Sequence, residues 1–264
     1  VVVLPLAGYD GAHWEPESML KRAVVVGASS GIGAALVGRL AREGHRVAAV
    51  ARRESELNQL CGSINRDHPD RAIPFVHDVC DVDGARGVFD QIVRRLDGLD
   101  VVVYCAGVMP RVGEDEYDVD VDRQIVEVNV IGAMAWLNLG AERFRAQRGG
   151  MLVGIGSVAG DRGRRGNPAY GASKAALHHY LESLRNRLSQ HGVHVLTVKP
   201  GPVHTPMTSG LAKLPMAIEP DAAADGIWSA MVRRADTVYV PRQWGIIMPV
   251  IQSIPSVFFR RMSL

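Results

Sequence analysis

Cysteine is scarce in this chain. Its three copies, Cys61, Cys80 and Cys105, are odd in number, far apart and never paired as C-x-x-C, which excludes a disulfide framework and a zinc knuckle. Excess charge is missing as well. Thirty basic side chains against 28 acidic ones leave a net charge of +2, too small a field to hold nucleic acid, so small molecules are the expected partners. The nine histidines form no H-x-x-x-H set, and His178-His179 read as surface or interface residues, so no metal site is expected. No basic residue precedes the apolar start Val1–Ala7, which speaks against secretion and for a reducing cytoplasm. The nearly uncharged stretch Trp244–Phe259 is short for a bilayer and carries Pro249 and Pro255.

Three divisions of the chain follow. The first methionine, Met19, sits just before an apolar run, which points to residues 1–18 as an upstream extension. Residues 19–242 make one α/β domain, with no repeat or low-complexity linker to divide it. Residues 243–264 form an apolar tail packed on the domain or a dimer mate, or touching a membrane surface through the Arg260-Arg261 flank.

Within the domain, short β-branched runs alternate with helical stretches. Strands are predicted at 23–27, 46–51, 72–77, 99–104, 150–155, 193–199 and 237–240. Helices are predicted at 31–43, 53–67, 82–96, 121–147, 169–190 and 220–233. The pattern is that of a Rossmann-like, doubly wound sheet of seven parallel strands with helices on both faces. Ligands of such a sheet lie outside the carboxyl ends of its strands.

The first strand runs into Gly27-Ala28-Ser29-Ser30-Gly31-Ile32-Gly33 and then a helix. Glycines there let backbone N–H groups approach a pyrophosphate at a positively polarised helix end. With 28 glycines such a match can arise by chance, but this one lies at the start of a βαβ unit. After the second strand, Arg52 and Arg53 stand where a carboxylate would bind a ribose 2′-hydroxyl. A guanidinium can grip a 2′-phosphate, so NADP(H) is expected over NAD. Asp78, followed by Val79, is placed either to accept from an adenine amino group or to cap a turn.

Ser157 follows the fifth strand, and Tyr170-Gly171-Ala172-Ser173-Lys174 lies on the next helix. Four residues of spacing put Tyr170 and Lys174 on one face. A phenol of pKa about 10 needs a nearby cation to trade protons near neutrality. Lys174 is that cation, and Ser157 steadies a developing oxyanion.

The glycine turn, Ser157 and the Tyr-x-x-x-Lys motif thirteen residues on resemble the short-chain dehydrogenase/reductase family, over residues 21–240. The resemblance implies hydride transfer between NADP(H) and a carbonyl or secondary alcohol. It also implies that Asn129 holds a proton-relay water, that Lys174 binds the nicotinamide ribose, and that Ala106 and Gly107 lie beside that ribose. Pro200, Gly201, Val203 and Thr205 would then belong to a loop over the nicotinamide. A homodimer or homotetramer through the helices of Asn129 and Tyr170 is implied too. Two departures stand out: Val26 and Tyr104-Cys105 replace the family's Thr before the first glycine and its Asn-Asn pair, and the Asp-Gly-Gly ending of fatty-acid-synthesis ketoreductases is missing.

The substrate loop 206–220 carries Met207, Leu211, Leu214, Met216 and Ile218, a lining suited to a hydrophobic carbonyl compound. His204 reads as a plain loop histidine. The alternative function is a dinucleotide sensor or scaffold that keeps the fold without the chemistry.

Overall fold

The computed structural model describes residues 22–210 and 214–262. The expected extension at 1–18 lies outside the described residues, as does Leu211. Seven strands form one sheet: β1 (Arg22–Val26), β2 (Arg46–Ala51), β3 (Ala72–Val76), β4 (Val101–Tyr104), β5 (Gly150–Ile155), β6 (Val193–Pro200) and β7 (Thr237–Val240). Their order is β3-β2-β1-β4-β5-β6-β7, and every pairing is parallel. The order reverses between β1 and β4, the switch point where a doubly wound sheet opens a crevice.

The strands are apolar on both sides because both faces are covered. Ala23, Val25, Val101 and Val103 point towards α1 (Gly31–Arg42), α2 (Glu54–Asp67) and α7 (Pro220–Val232), which contribute Leu36, Leu40, Leu57 and Ile227. Val24, Val26, Val102 and Tyr104 face the other layer: α3 (Val82–Leu96), α5 (Gly132–Gln147) and α6 (Pro168–Leu188), with Phe89, Trp136, Phe144 and Leu181. Alternate residues of one strand thus feed two separate cores. At the amino end of the sheet, Arg22 grips Asp100 with two bonds, Nε to Oδ2 at 2.9 Å and Nη2 to Oδ1 at 2.8 Å, which aligns β1 with β4.

The helix expected at 121–147 is three segments: α4 (Val119–Val126), a π-helical bulge Glu127–Ile131, and α5. Sequence periodicity does not register such a bulge, since it inserts one residue without changing the apolar character of the helix. The stretch expected at 169–190 ends as a helix at Leu188 and closes in a 3₁₀ turn, Ser189–His191. The tail forms α8 (Trp244–Ser253) and the short α9 (Ser256–Phe259). Trp244 and Met248 bury against Val158, beside the segment that carries Ser157. Among the described residues no helix is long and apolar enough to cross a membrane.

Phe144 is fully buried and fills the space above Gly150, whose absent Cβ would lie 2.5 Å from the ring. Phe144→Ala is expected to lower unfolding free energy by about 3–5 kcal/mol, read from urea titrations followed by circular dichroism.

Candidate active site

The carboxyl ends of β1, β4, β5 and β6 border a cleft of about 300 Å³. Its floor is the turn from β1 into α1. Gly27 adopts φ +90°, and a Cβ there would lie 2.4 Å from the Ala106 nitrogen; one on Gly33 would lie 2.1 Å from the Gly27 carbonyl oxygen. Only glycine permits this approach. The Gly27 and Ala28 amides both donate to the Val50 carbonyl, at 2.8 and 3.0 Å, which locks the turn onto β2. Ser30 caps α1 without a side-chain bond to its amides, and no acidic residue stands in the first turn. The helix therefore presents its positive end to the cleft uncompensated.

Arg53 closes the same corner. Its Nη2 donates to Ser29 Oγ and Ser30 Oγ, each at 2.8 Å, and its Nη1 pairs with Glu56 at 3.4 Å. Arg52 pairs with Asp78 at 3.5 Å. Both arginines line the cleft, whereas Asp78 does not: its Oδ1 accepts from the Cys80 amide at 3.0 Å, the turn-capping alternative. Burial of Asp78 works to raise its pKa, but the Cys80 amide and Arg52 outweigh it, and the carboxyl stays below its usual range. Among the described residues lining the cleft there are three cations, Arg52, Arg53 and Lys174, and no carboxylate.

At the opposite end, Ser157 opens the turn Val158–Gly160, where its Oγ accepts from the Ala159 amide at 3.1 Å. Asn167 caps α6 by accepting from the Tyr170 amide at 3.0 Å, while its Nδ2 donates to the Pro110 carbonyl at 2.7 Å. Tyr170 lines the same cleft wall as Ser157. One turn on, Lys174 Nζ donates to the Ile155 carbonyl at 3.0 Å and lies 5.8 Å from the Tyr170 ring centre. Burial pulls the Lys174 ammonium down to about 8. Burial also pushes the Tyr170 phenol up, against the lowering influence of nearby Ser157. Desolvation is the largest influence on the phenol and holds it above its ordinary value. Cys105, at the same wall, is pushed by burial to about 12 and is no nucleophile near neutrality.

Asn129 sits in the π bulge, fully buried and off the cleft wall. Its Oδ1 accepts from the Val108 amide at 2.8 Å; its Nδ2 donates to the Val108 carbonyl at 3.1 Å and to Ser173 Oγ at 3.0 Å. It clamps the loop after β4 to the helix of Tyr170 and Lys174. The Tyr104 departure has a counterpart here: the buried Tyr104 hydroxyl donates to the Val128 carbonyl in the bulge. Gly132 leaves room for it, since a Cβ there would lie 2.7 Å from that oxygen. The Cys105 amide donates to the Val26 carbonyl at 2.8 Å, so backbone bonding continues from β4 towards the end of β1.

Gly27, Ser29, Ser30, Gly31, Ile32 and Gly33, both arginines, Val79, Ala106 and Gly107 thus meet at the cleft with Ser157, Tyr170 and Lys174. Pro200, Gly201, Val203 and Thr205 close the far side. Of the expected substrate lining, Met207 reaches the cleft, while Ile218 packs on the core and Met216 is exposed. His204 is exposed away from it. Sequence reasoning missed His77, Val108 and Val128 at the wall, while Pro206 enters it from the expected substrate loop. His77 follows β3 directly and could have been placed from strand register.

Residues 21–214 match the family model described as short chain dehydrogenase. An uncharacterized oxidoreductase of Myxococcus xanthus is 35% identical over 249 residues, 92% of this chain and 96% of the relative. A short-chain type dehydrogenase/reductase from Mycobacterium marinum superposes with TM-score 0.76 at 26% identity, covering 83% of this chain and 93% of its own. A Sphingobium yanoikuyae short-chain dehydrogenase, solved in complex with NADPH, superposes with TM-score 0.78 at 24% identity, covering 90% and 97%. A fold wound around the β1/β4 crevice, with a glycine turn at one end and a Ser, Tyr and Lys group at the other, defines a nucleotide-binding oxidoreductase. The chain belongs to the short-chain dehydrogenase family.

Tyr104→Phe leaves the buried Val128 carbonyl without its donor. It is expected to cost about 1–3 kcal/mol of stability in chemical denaturation, and an unchanged midpoint would show the bond to be dispensable.

Proposed function

We propose that the protein is an NADP(H)-dependent reductase of carbonyl compounds, working in reverse on secondary alcohols. The observation that carries this reading is the cleft wall itself: Arg52, Arg53 and an uncapped helix end at one side, Tyr170 with Ser157 and Lys174 at the other, and no carboxylate among the described lining residues.

The residues suit the cofactor, because the close glycines leave backbone where side chains would block a pyrophosphate. Gly27–Gly33 and the α1 amides hold the pyrophosphate, with Val79, Ala106 and Gly107 flanking the nucleosides. Arg52 and Arg53 take the 2′-phosphate, and Asp78 orients Arg52 from outside the cleft. Pro200, Gly201, Val203 and Thr205 cover the nicotinamide, and Lys174 binds its ribose. When bound, NADPH supplies the hydride. Tyr170 gives its proton to the substrate oxygen, Ser157 donates a hydrogen bond to that oxygen, and the Lys174 ammonium stabilises the phenolate that remains. Asn129 acts through Ser173 and Val108, fixing the helix and loop between which the substrate carbonyl lies.

Met207, Val108 and Pro206 favour a hydrophobic substrate. Exposed Val119, Val126 and Ile131 on α4 and the bulge support assembly with further copies of the chain as a dimer or tetramer. Exposed Ile246, Val250 and Phe258 on α8 and α9 support contact with a membrane surface. The unpaired thiols of Cys61, Cys80 and Cys105 suit a reducing cytoplasm.

Titrating the purified chain with NADPH and NADH should show tighter NADPH binding. Arg52→Asp or Arg53→Asp should weaken NADPH by about tenfold to a hundredfold, the worth of one charged hydrogen bond, while leaving NADH nearly unchanged. Equal affinities in the unaltered chain would overturn the cofactor preference. Tyr170→Phe should keep NADPH binding and lower turnover of apolar ketones by about 10²–10⁴-fold. Near-normal turnover in that variant would remove Tyr170 as the acid.

A further inference from the structure

Ser157 is held from behind by side chains that do not belong to the cleft. Its backbone N–H donates to Nε2 of His178 at 3.3 Å, two turns along α6 from Tyr170. His178 is largely buried, with 11% of its side chain exposed, so it is not the surface or interface residue expected of it. Its other ring nitrogen, Nδ1, faces Asp161 Oδ1 at 3.5 Å. That carboxylate is in turn fixed from two strands: Lys199 Nζ of β6 donates to Oδ1 at 2.7 Å, and the Tyr239 hydroxyl of β7 donates to Oδ2 at 2.7 Å. The Asp161 side chain is only 2% exposed.

The backbone around the ring is shaped for it. A Cβ on Gly156 would lie 2.1 Å from His178 Nε2, and one on Gly160 would lie 2.8 Å from Cε1. The two glycines that bracket the Ser157 segment therefore leave the volume this imidazole fills. To accept from an amide, Nε2 must be without hydrogen, so the neutral ring carries its proton on Nδ1, towards Asp161.

We propose that His178, oriented by Asp161, is a positioning residue that sets the Ser157 segment and thereby aims the Ser157 hydroxyl at the substrate oxygen. The proposal rests on the reading of Ser157 given above. The restraint runs from β6 and β7 through Asp161 and His178 to Ser157, so the tail-side strands and the acid/base group are coupled through one ring. A protonated ring would turn a second N–H against the Ser157 amide. The groups facing the ring are Asp161 from the loop, Lys199 from β6 and Lys174 from its own helix, with Tyr239 behind Asp161. Burial is the largest influence and, helped by both lysines, outweighs Asp161 and favours the neutral form.

The test compares His178→Leu, His178→Gln, Ser157→Ala and the Ser157→Ala/His178→Leu double variant, using NADPH-dependent reduction of isatin. His178→Leu should lower kcat by about tenfold to a hundredfold with NADPH affinity unchanged, as a small displacement of a catalytic group does. His178→Gln, whose amide can both accept from Ser157 and donate to Asp161, should recover most of the loss. The double variant should be no slower than Ser157→Ala alone. The unaltered chain should lose kcat in acid, below the ordinary imidazole range, through a limb that His178→Gln lacks. A readout that needs neither substrate nor the variants' folding is the nitrogen resonance pattern of labelled histidine in the unaltered protein, expected to show the Nδ1–H tautomer near neutrality. A charged ring or the Nε2–H tautomer there would overturn the proposal. So would full kcat in His178→Leu alongside a loss in Ser157→Ala. Full kcat in Ser157→Ala would instead overturn the role given to Ser157, and with it any catalytic effect of His178.

Discussion

The approach of Gly27 to Ala106, at the ends of β1 and β4, is the constraint on which the rest of the site depends. A side chain on Gly27 would drive into the Ala106 backbone, and one on Gly33 into the Gly27 carbonyl. With both bare, the turn folds flat against β2 and α1 begins at the lip of the crevice. The sheet order then does the remainder. Because β1 and β4 are neighbours and their crossovers leave in opposite directions, no helix among the described residues covers the point where they end.

Burial has two effects at the end of the cleft that holds Tyr170 and Lys174. It raises the Tyr170 phenol and lowers the Lys174 ammonium, so each charged form is disfavoured in isolation. It also strengthens any interaction between them and a charge developing on substrate, since less water screens it. The polar side chains that support this end are themselves bonded: Asn129 to Val108 and Ser173, and Asp161 to Lys199 and Tyr239. An unpaired group at such depth would cost far more than its bond contributes.

Much of this was legible from residue order. Strand positions came within about two residues because the apolar runs are short, β-branched and separated by amphipathic helices. The glycine turn, Arg52, Arg53, Ser157, Tyr170 and Lys174 were legible because each lies at a fixed offset from a strand end. The bulge at Glu127–Ile131 was not, because it changes hydrogen bonding without changing apolar periodicity. Tyr104 read only as a departure from the family's Asn-Asn pair. Its hydroxyl in fact finds a partner in the bulge, 24 residues away in sequence. His178 read as a surface or interface residue because its partners, Ser157 and Asp161, come from another segment.

The sequence by itself determined the layer order, the glycine turn and the spacing of Ser157, Tyr170 and Lys174, since these follow from local periodicity and from residues close along the chain. Tertiary structure decided which polar groups meet: Asp78 outside the cleft beside Arg52, Asn129 between a loop and a helix, His178 behind Ser157. The physical reason is that hydrogen bonds and ion pairs act over a few ångströms in space. Distance along the chain says little about which side chains packing brings that close.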